Sequence, residues 1–353
     1  MTPRLTIVLG AGGVGKTTLA SALALAHAHT GARAALLGVD PARRLRSALA
    51  LPDVPEQGIR IPIAGAGSLE RGSIDVALLD PSACVRRWVT DACAEADRAR
   101  LLANPFLIGI ADHLAAFTDA IGCARAVEWA ERDPGLTELV LDTAPGTAAV
   151  ELLSRPEKLL AFFDGRLVRW LARLARVGSS GIVARGSKRM LAGLADLSGA
   201  SALRDFGELI TVLERAIATM VGRLERARAW LAEPGTALVV VCAVNDDAAD
   251  AAHALDEAVR AIGFTPTLIV LNRVLPDTLA TWVPGGAAPQ AHAFGRYVHN
   301  YLRTQERVRA RLAAEHVRVL EVPDSSTLDV GARLDGLAAL GEPLRVALSA
   351  ASR

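Results

Sequence analysis

The nine residues Gly10-Ala11-Gly12-Gly13-Val14-Gly15-Lys16-Thr17-Thr18 bring together glycines, an amine and two adjacent hydroxyls. That mixture suits phosphate. Glycine backbone curls so that successive N–H groups converge on one anion. Lys16 adds a point charge for β- and γ-phosphates, and the Thr17 hydroxyl is placed to ligate Mg²⁺. The run satisfies G-x-x-x-x-G-K-[ST] with the flanks that pattern requires. A β-rich apolar run, residues 6–10, precedes it, and an Ala/Leu-rich stretch, residues 19–27, follows it. A helix starting near Lys16 aims its positive end at the same phosphates. Gly12, Gly13, Val14, Gly15, Lys16, Thr17 and Thr18 are therefore the expected nucleotide-binding residues.

Two acids close apolar runs. Residues 34–39 lead into Asp40-Pro41-Ala42-Arg43-Arg44-Leu45, and residues 139–141 into Asp142-Thr143-Ala144-Pro145-Gly146-Thr147. An acid at the C-terminal end of a strand beside a phosphate loop orients water or a Mg²⁺-bound water. Asp40 before a proline equally suits a helix N-cap, and Asp142 equally suits a turn. Pattern alone leaves both readings open.

These groups need strands to carry them. β-like runs fall at residues 6–9, 34–39, 74–79, 139–141, 238–243, 268–271 and 317–322, with helical patterns between them. Near-continuous apolar strands alternating with helices predict an α/β fold, a P-loop domain with a mostly parallel, doubly covered sheet. The whole chain, 1–353, reads as one such domain. The alternation breaks between Asp142 and Leu238. There, and between the two acids, the pattern is helical, which predicts a helical subdomain built from residues 84–130 and 156–232 inserted in the core. A long helix over 206–231 places Leu209, Val212, Leu213, Ala216, Ile217, Met220 and Leu224 at a period near 3.6. Arg166, Arg169, Arg173 and Arg176 share one helical face, which reads as a solvated face before it reads as a surface for lipid or a partner. Residues 276–289 read as a loop.

Composition narrows the function. Over 353 residues, 39 Lys+Arg balance 38 Asp+Glu for a net charge of +1, so no overall field draws nucleic acid or acidic lipid. Half the residues (51%) are hydrophobic and 4% aromatic, ample for a core and against disorder. No apolar run nears the ~18 residues of a membrane span. The start of the chain reads as a first strand, not a signal peptide, so the expected location is cytoplasmic or peripheral at the membrane. Cys84, Cys93, Cys123 and Cys242 lack ligand spacing, so they read as core residues and no zinc is expected. His27, His29, His292 and His299 read as solvated or capping side chains.

The motifs together resemble the arsenite-pump ATPase family, which includes the guided-entry ATPases for tail-anchored proteins. Within it the chain is most similar to the paired bacterial anion-transporting ATPases. The resemblance rests on residues 10–18, on Asp40 to Arg43 and on Asp142 to Pro145. It extends through Leu79-Asp80-Pro81, Ala103-Asn104-Pro105-Phe106, Phe163-Asp164-Gly165-Arg166 and Val270-Leu271-Asn272-Arg273 to the closing stretch from Val322-Pro323-Asp324 to Gly336-Leu337. It implies a Mg²⁺- and ATP-dependent ATPase. Asp40 and Lys16 would be catalytic, with Asp40 positioning the attacking water. Thr17 and, through water, Asp142 would hold Mg²⁺. Asn272 would contact adenine, and the backbone at Pro323 would flank it. It implies a homo- or heterodimer with a homologous ATPase, and a membrane protein or transmembrane segment as cargo.

Three departures qualify it. Ala11 stands where the family carries a signature lysine that reaches across a dimer. Gly146-Thr147-Ala148-Ala149 replaces the usual residues after the switch proline. The family's metal-binding cysteines have no counterpart, and with only three Met a soft apolar groove is less evident. Two readings follow. One is an ATPase coupling nucleotide state to cargo or membrane-partner handling. The other is a weakly hydrolysing regulatory subunit that pairs with a lysine-bearing homologue.

Overall fold

The computed structural model describes residues 2–39, 44–64, 70–102, 117–146, 150, 200–282, 289–314, 318–324 and 333–351. Asp40 and the rest of its switch lie outside these residues. So do Asn104, Asp164, the arginine stripe from Arg166 and the turn at residues 178–181.

Eight strands make one sheet: β1 (Arg4–Gly10), β2 (Arg33–Gly38), β3 (Ile59–Ala64), β4 (Glu70–Leu78), β5 (Glu138–Asp142), β6 (Ala237–Ala243), β7 (Leu268–Val274) and β8 (Val319–Pro323). Their order is β3-β4-β2-β5-β1-β6-β7-β8. All neighbours run parallel except β3, which pairs antiparallel with β4. The fold is the expected α/β architecture with a mostly parallel sheet. β1, β5 and β6 are buried almost without break, as strands covered on both faces must be.

The edge strand β3 escaped the sequence reading. Its Ile59, Ile61 and Ile63 alternate, but Pro62 interrupts them. Proline removes a ladder donor and is tolerated at a sheet edge, where β3 lies.

Contacts divide the chain into two compact units, Met1–Leu78 with Asp133–Glu151 and Ala232–Arg353, and Leu79–Arg132 with Leu152–Leu231. The first holds the sheet. Its helices are α1 (Lys16–His29), α2 (Arg44–Leu49), α7 (Asp246–Ala261), α8 (Pro289–Ala314) and α9 (Arg333–Ala351); α3 (Pro81–Asp91), α4 (Arg98–Leu102), α5 (Thr118–Arg132) and α6 (Ala200–Leu231) belong to the second. α3 is capped as its sequence dictates. Asp80 accepts a 2.9 Å bond from Ala83 N, and Pro81 opens the helix.

The second unit packs α3, α5 and α6 around a buried acid. Glu128 is fully buried and meets Arg87 at 3.0 Å and Arg132 at 2.9 Å, with Arg125 at 3.5 Å and Arg223 at 3.7 Å. Burial alone would raise its pKa. The hydrogen bond and charge of Arg87, with help from Trp88 and Arg125, overcome this and hold it below the usual carboxylate range. Arg223 also lies over Trp88 and Arg125 over Trp129, so the guanidinium planes fill space as well as neutralise charge.

In the first unit α1 is buried nearly all round, from Leu19 to Ala28. The sheet covers one side and α9 the other. Alanine-rich sequence permits that approach, and Gly341 makes it closest. A Cβ on Gly341 would overlap the Ala22 carbonyl and lie 2.7 Å from Leu23 N.

His27 is the exception to the expectation for the histidines. It is 5% exposed, at the end of α1 where β5 and α9 converge. Its Nδ1 lies 3.6 Å from Glu138, and Arg4 Nε binds that same carboxylate at 2.8 Å. Burial, then Arg4 and Arg345, lower the His27 pKa to about 4, against an opposing pull from Glu342. His292 and His299 are exposed as expected.

Two predictions follow from this packing. An exposed helical glycine usually gains about 1 kcal/mol on becoming alanine. Gly341→Ala should instead lose at least about 2 kcal/mol in denaturant unfolding, because backbone cannot swing aside. His27 is neutral in the fold, so the unfolded chain binds the extra proton between pH 6.5 and about 4. Stability should fall as pH drops through that window, by up to about 3 kcal/mol, and His27→Gln should flatten the fall. Unfolding midpoints of the two proteins from pH 7 to pH 4 measure it.

Candidate nucleotide site

The sheet dictates where a ligand can lie. β2 follows β1 in the chain but lies beyond β5, while β6, β7 and β8 run out on the other side of β1. β1 is thus where the strand order reverses, and ligands of open parallel sheets bind at the carboxyl end of that point. The glycine loop leaves β1 there.

Backbone geometry shows why the loop is glycine-rich. Gly10 has φ +151°, Gly13 φ +77° and Gly15 φ +101°. A Cβ on Gly10 would lie 2.6 Å from the Val241 carbonyl of the adjacent strand. One on Gly15 would run into Asn272 Nδ2. Gly15 caps α1 in the left-handed region, and the helix opens on Lys16-Thr17-Thr18 with no side-chain cap and no acid in its first turn. Its leading N–H groups therefore meet no protein anion in that turn, which suits a bound phosphate. Lys16 is 4% exposed, and its ammonium donates a 2.8 Å bond to the Ala11 carbonyl. The lysine thus arches back across the loop with its charge held over the glycines.

The second switch is stitched to the loop's root. Val8 of β1 stands opposite Asp142 of β5. Thr143 Oγ1 donates to the Val8 carbonyl at 2.7 Å, and Gly146 N to the Gly10 carbonyl at 3.0 Å. On the other flank Val39 N donates to the Asp142 carbonyl at 2.8 Å. Asp142 is 2% exposed. The departure after the switch proline has a structural use: Gly146 takes φ +70°, a turn that glycine makes without a steric penalty.

On the far side Asn272 reaches the loop from β7. Its Nδ2 donates to the Val14 carbonyl at 2.8 Å, and its Oδ1 accepts from Arg273 N at 3.0 Å. The opposite amide orientation would set donor against donor and acceptor against acceptor, so the bonds fix the flip. Arg273 is an extra residue in the ladder, with φ +65°, and the pairing with β8 shifts between Asn272 and Val274. Bulges of this kind re-aim a neighbouring side chain. The bulge is braced by α8. Tyr301 donates to the Arg273 carbonyl at 2.6 Å, and buried Gln305 bonds both the N–H and the carbonyl of Leu275, at 2.8 Å and 2.9 Å.

The structure thus gathers Gly12 to Thr18, Asp142 and Asn272 at one edge of the sheet. Pro323 ends β8 opposite Val274 at that same edge and is exposed. Thr143, Tyr301 and Gln305 were not singled out from sequence. A serine or threonine after a strand, or a glutamine in a helix, carries no signal of the backbone it will hold. Among the described residues no group of three or more His, Cys, Asp or Glu side chains converges on a metal position. Mg²⁺ does not need one, because it takes most of its ligands from phosphate and water. A threonine at the start of α1 and one buried carboxyl beside β1 fit that habit. Cys84, Cys123 and Cys242 are buried. Among the described residues no helix is long and apolar enough to cross a membrane.

Strand order, a glycine loop at the reversal point and a lysine at the mouth of its helix define a P-loop α/β protein. A sequence profile of the anion-transporting ATPases, the ArsA type, matches residues 3–284, and the chain belongs to that family. It is also similar to the "Uncharacterized protein SCO2128" of Streptomyces coelicolor. The two are 29% identical over 308 residues, which cover 81% of this chain and 67% of that protein. The profile takes in the glycine loop, Asp142 and Asn272; α8, β8 and α9 lie beyond it.

Proposed function

We infer that this protein binds ATP with Mg²⁺, hydrolyses it, and uses the change of nucleotide to handle a cargo or a membrane partner. The observation that carries the reading is the loop itself. Left-handed glycines turn the chain from β1 into a helix whose first residue is a buried lysine. A lysine opening a helix behind such a loop is the arrangement that receives a triphosphate.

The chain's own groups divide the work. Amides of residues 12–17 take the phosphate oxygens, and Lys16 leaves the Ala11 carbonyl for the β/γ bridge. Thr17 and, through water, Asp142 hold Mg²⁺, which supplies charge neutralisation on the transferring phosphoryl group. Asp40 orients the attacking water. Thr143 and Gly146, bonded to β1 at Val8 and Gly10, carry the loss of the γ-phosphate into the segment that follows. Asn272 and Pro323 border the adenine. A near-neutral charge of +1 speaks against nucleic acid as the cargo.

Ala11 supports a second reading. Without a lysine at this position the loop offers no cation from residue 11 to a partner's phosphates, and one such contact is worth about a thousandfold in rate. Turnover would then rise when a lysine-bearing homologue completes a heterodimer, whereas a fully active homodimer removes the reading.

Steady-state phosphate release tests the assignment. Lys16→Ala should lower turnover by at least about a hundredfold, and Asp142→Ala should lower it and raise the Mg²⁺ needed for half-maximal rate. Turnover unchanged in Lys16→Ala overturns the hydrolase reading.

A further inference from the structure

We propose that Asn272 is a positioning residue for the phosphate loop, acting on the triphosphate whether or not a base is attached. The inference rests on the nucleotide reading above and goes beyond the adenine contact expected of this residue. Nδ2 of Asn272 holds the Val14 carbonyl at 2.8 Å. That carbonyl and the Gly15 N–H belong to one trans peptide, so they point in opposite directions. Fixing the oxygen toward β7 turns the Gly15 N–H away from β7, to the side of the phosphates. Asn272 therefore sets the orientation of a donor it never touches.

The surroundings are built for this task. Asn272 is 6% exposed, and its Oδ1 is anchored by Arg273 N at 3.0 Å, so the amide cannot rotate freely. The anchor depends on the left-handed Arg273 and the bulge between Asn272 and Val274. The bulge is clamped from α8 by Tyr301 and Gln305. Gly15 leaves the room, since any Cβ there would meet Nδ2. One N–H of the amide remains for a base, so bracing the loop and bordering adenine are compatible.

A base-free ligand separates the two roles. Binding of Mg·ATP and of Mg·tripolyphosphate is measured by calorimetry for the wild type, Asn272→Ala and Asn272→Asp. The aspartate keeps an acceptor for Arg273 N but cannot donate to Val14 O, and sets a carboxylate against that carbonyl. Both variants should weaken tripolyphosphate roughly tenfold and ATP by at least that factor, with Asn272→Asp at least as weak as Asn272→Ala. Thermal melts without ligand should show that both variants remain folded at the titration temperature, so that the loss of tripolyphosphate affinity does not come from an unfolded fraction. Tripolyphosphate affinity unchanged in a folded variant, with ATP weakened or not, overturns the bracing role and leaves the nucleotide site standing. Wild-type protein that binds neither ligand overturns the nucleotide reading and the bracing role with it.

Discussion

The chain must leave β1 and enter α1 through backbone angles that side-chain-bearing residues rarely adopt, and the surrounding structure is arranged to hold it there. Gly10, Gly13 and Gly15 all take positive φ. A loop of glycines is loose by itself, because glycine has the most conformational freedom to lose. The neighbours supply the missing rigidity. Gly10 is seated against Val241 of β6, Gly146 bonds the Gly10 carbonyl, and Asn272 bonds that of Val14. Two strands, β6 and β7, and the turn that follows β5 thus restrain one loop. A turn restrained in this way spares an anion that binds it much of the ordering cost of binding.

The same logic extends outward. α1 begins at the loop, and its body is buried between the sheet and α9. The glycine approach at Gly341 and the buried His27 both belong to that seam. A helix clamped this closely cannot tilt without disturbing the sheet or α9. The end of α1 that meets the glycine loop is then a fixed point of the first unit.

Much of this was legible before any coordinates. The apolar runs and the glycine loop gave seven strands and the parallel sheet, because buried parallel strands read as continuous apolar segments. Residues 10–18 announced their chemistry through local spacing, which survives in one dimension. What stayed hidden was long-range. β3 was masked by Pro62, since a proline permitted at an edge looks the same as one that forbids a strand. His27 read as a solvated or capping side chain because the elements that bury it, β5 and α9, are remote in sequence. Asn272 was marked by resemblance, but its bond to Val14 spans 258 positions. No local pattern reports such a bond, nor the left-handed turn at Arg273 on which it relies.

The central claim is that main-chain amides at the β1–α1 junction grip a triphosphate. Amide hydrogen exchange reads those groups directly. On adding Mg·ATP, exchange in the peptide spanning residues 10–20 should slow markedly, while edge strand β3 stays unchanged. Equal exchange in that peptide with and without saturating Mg·ATP would contradict the account.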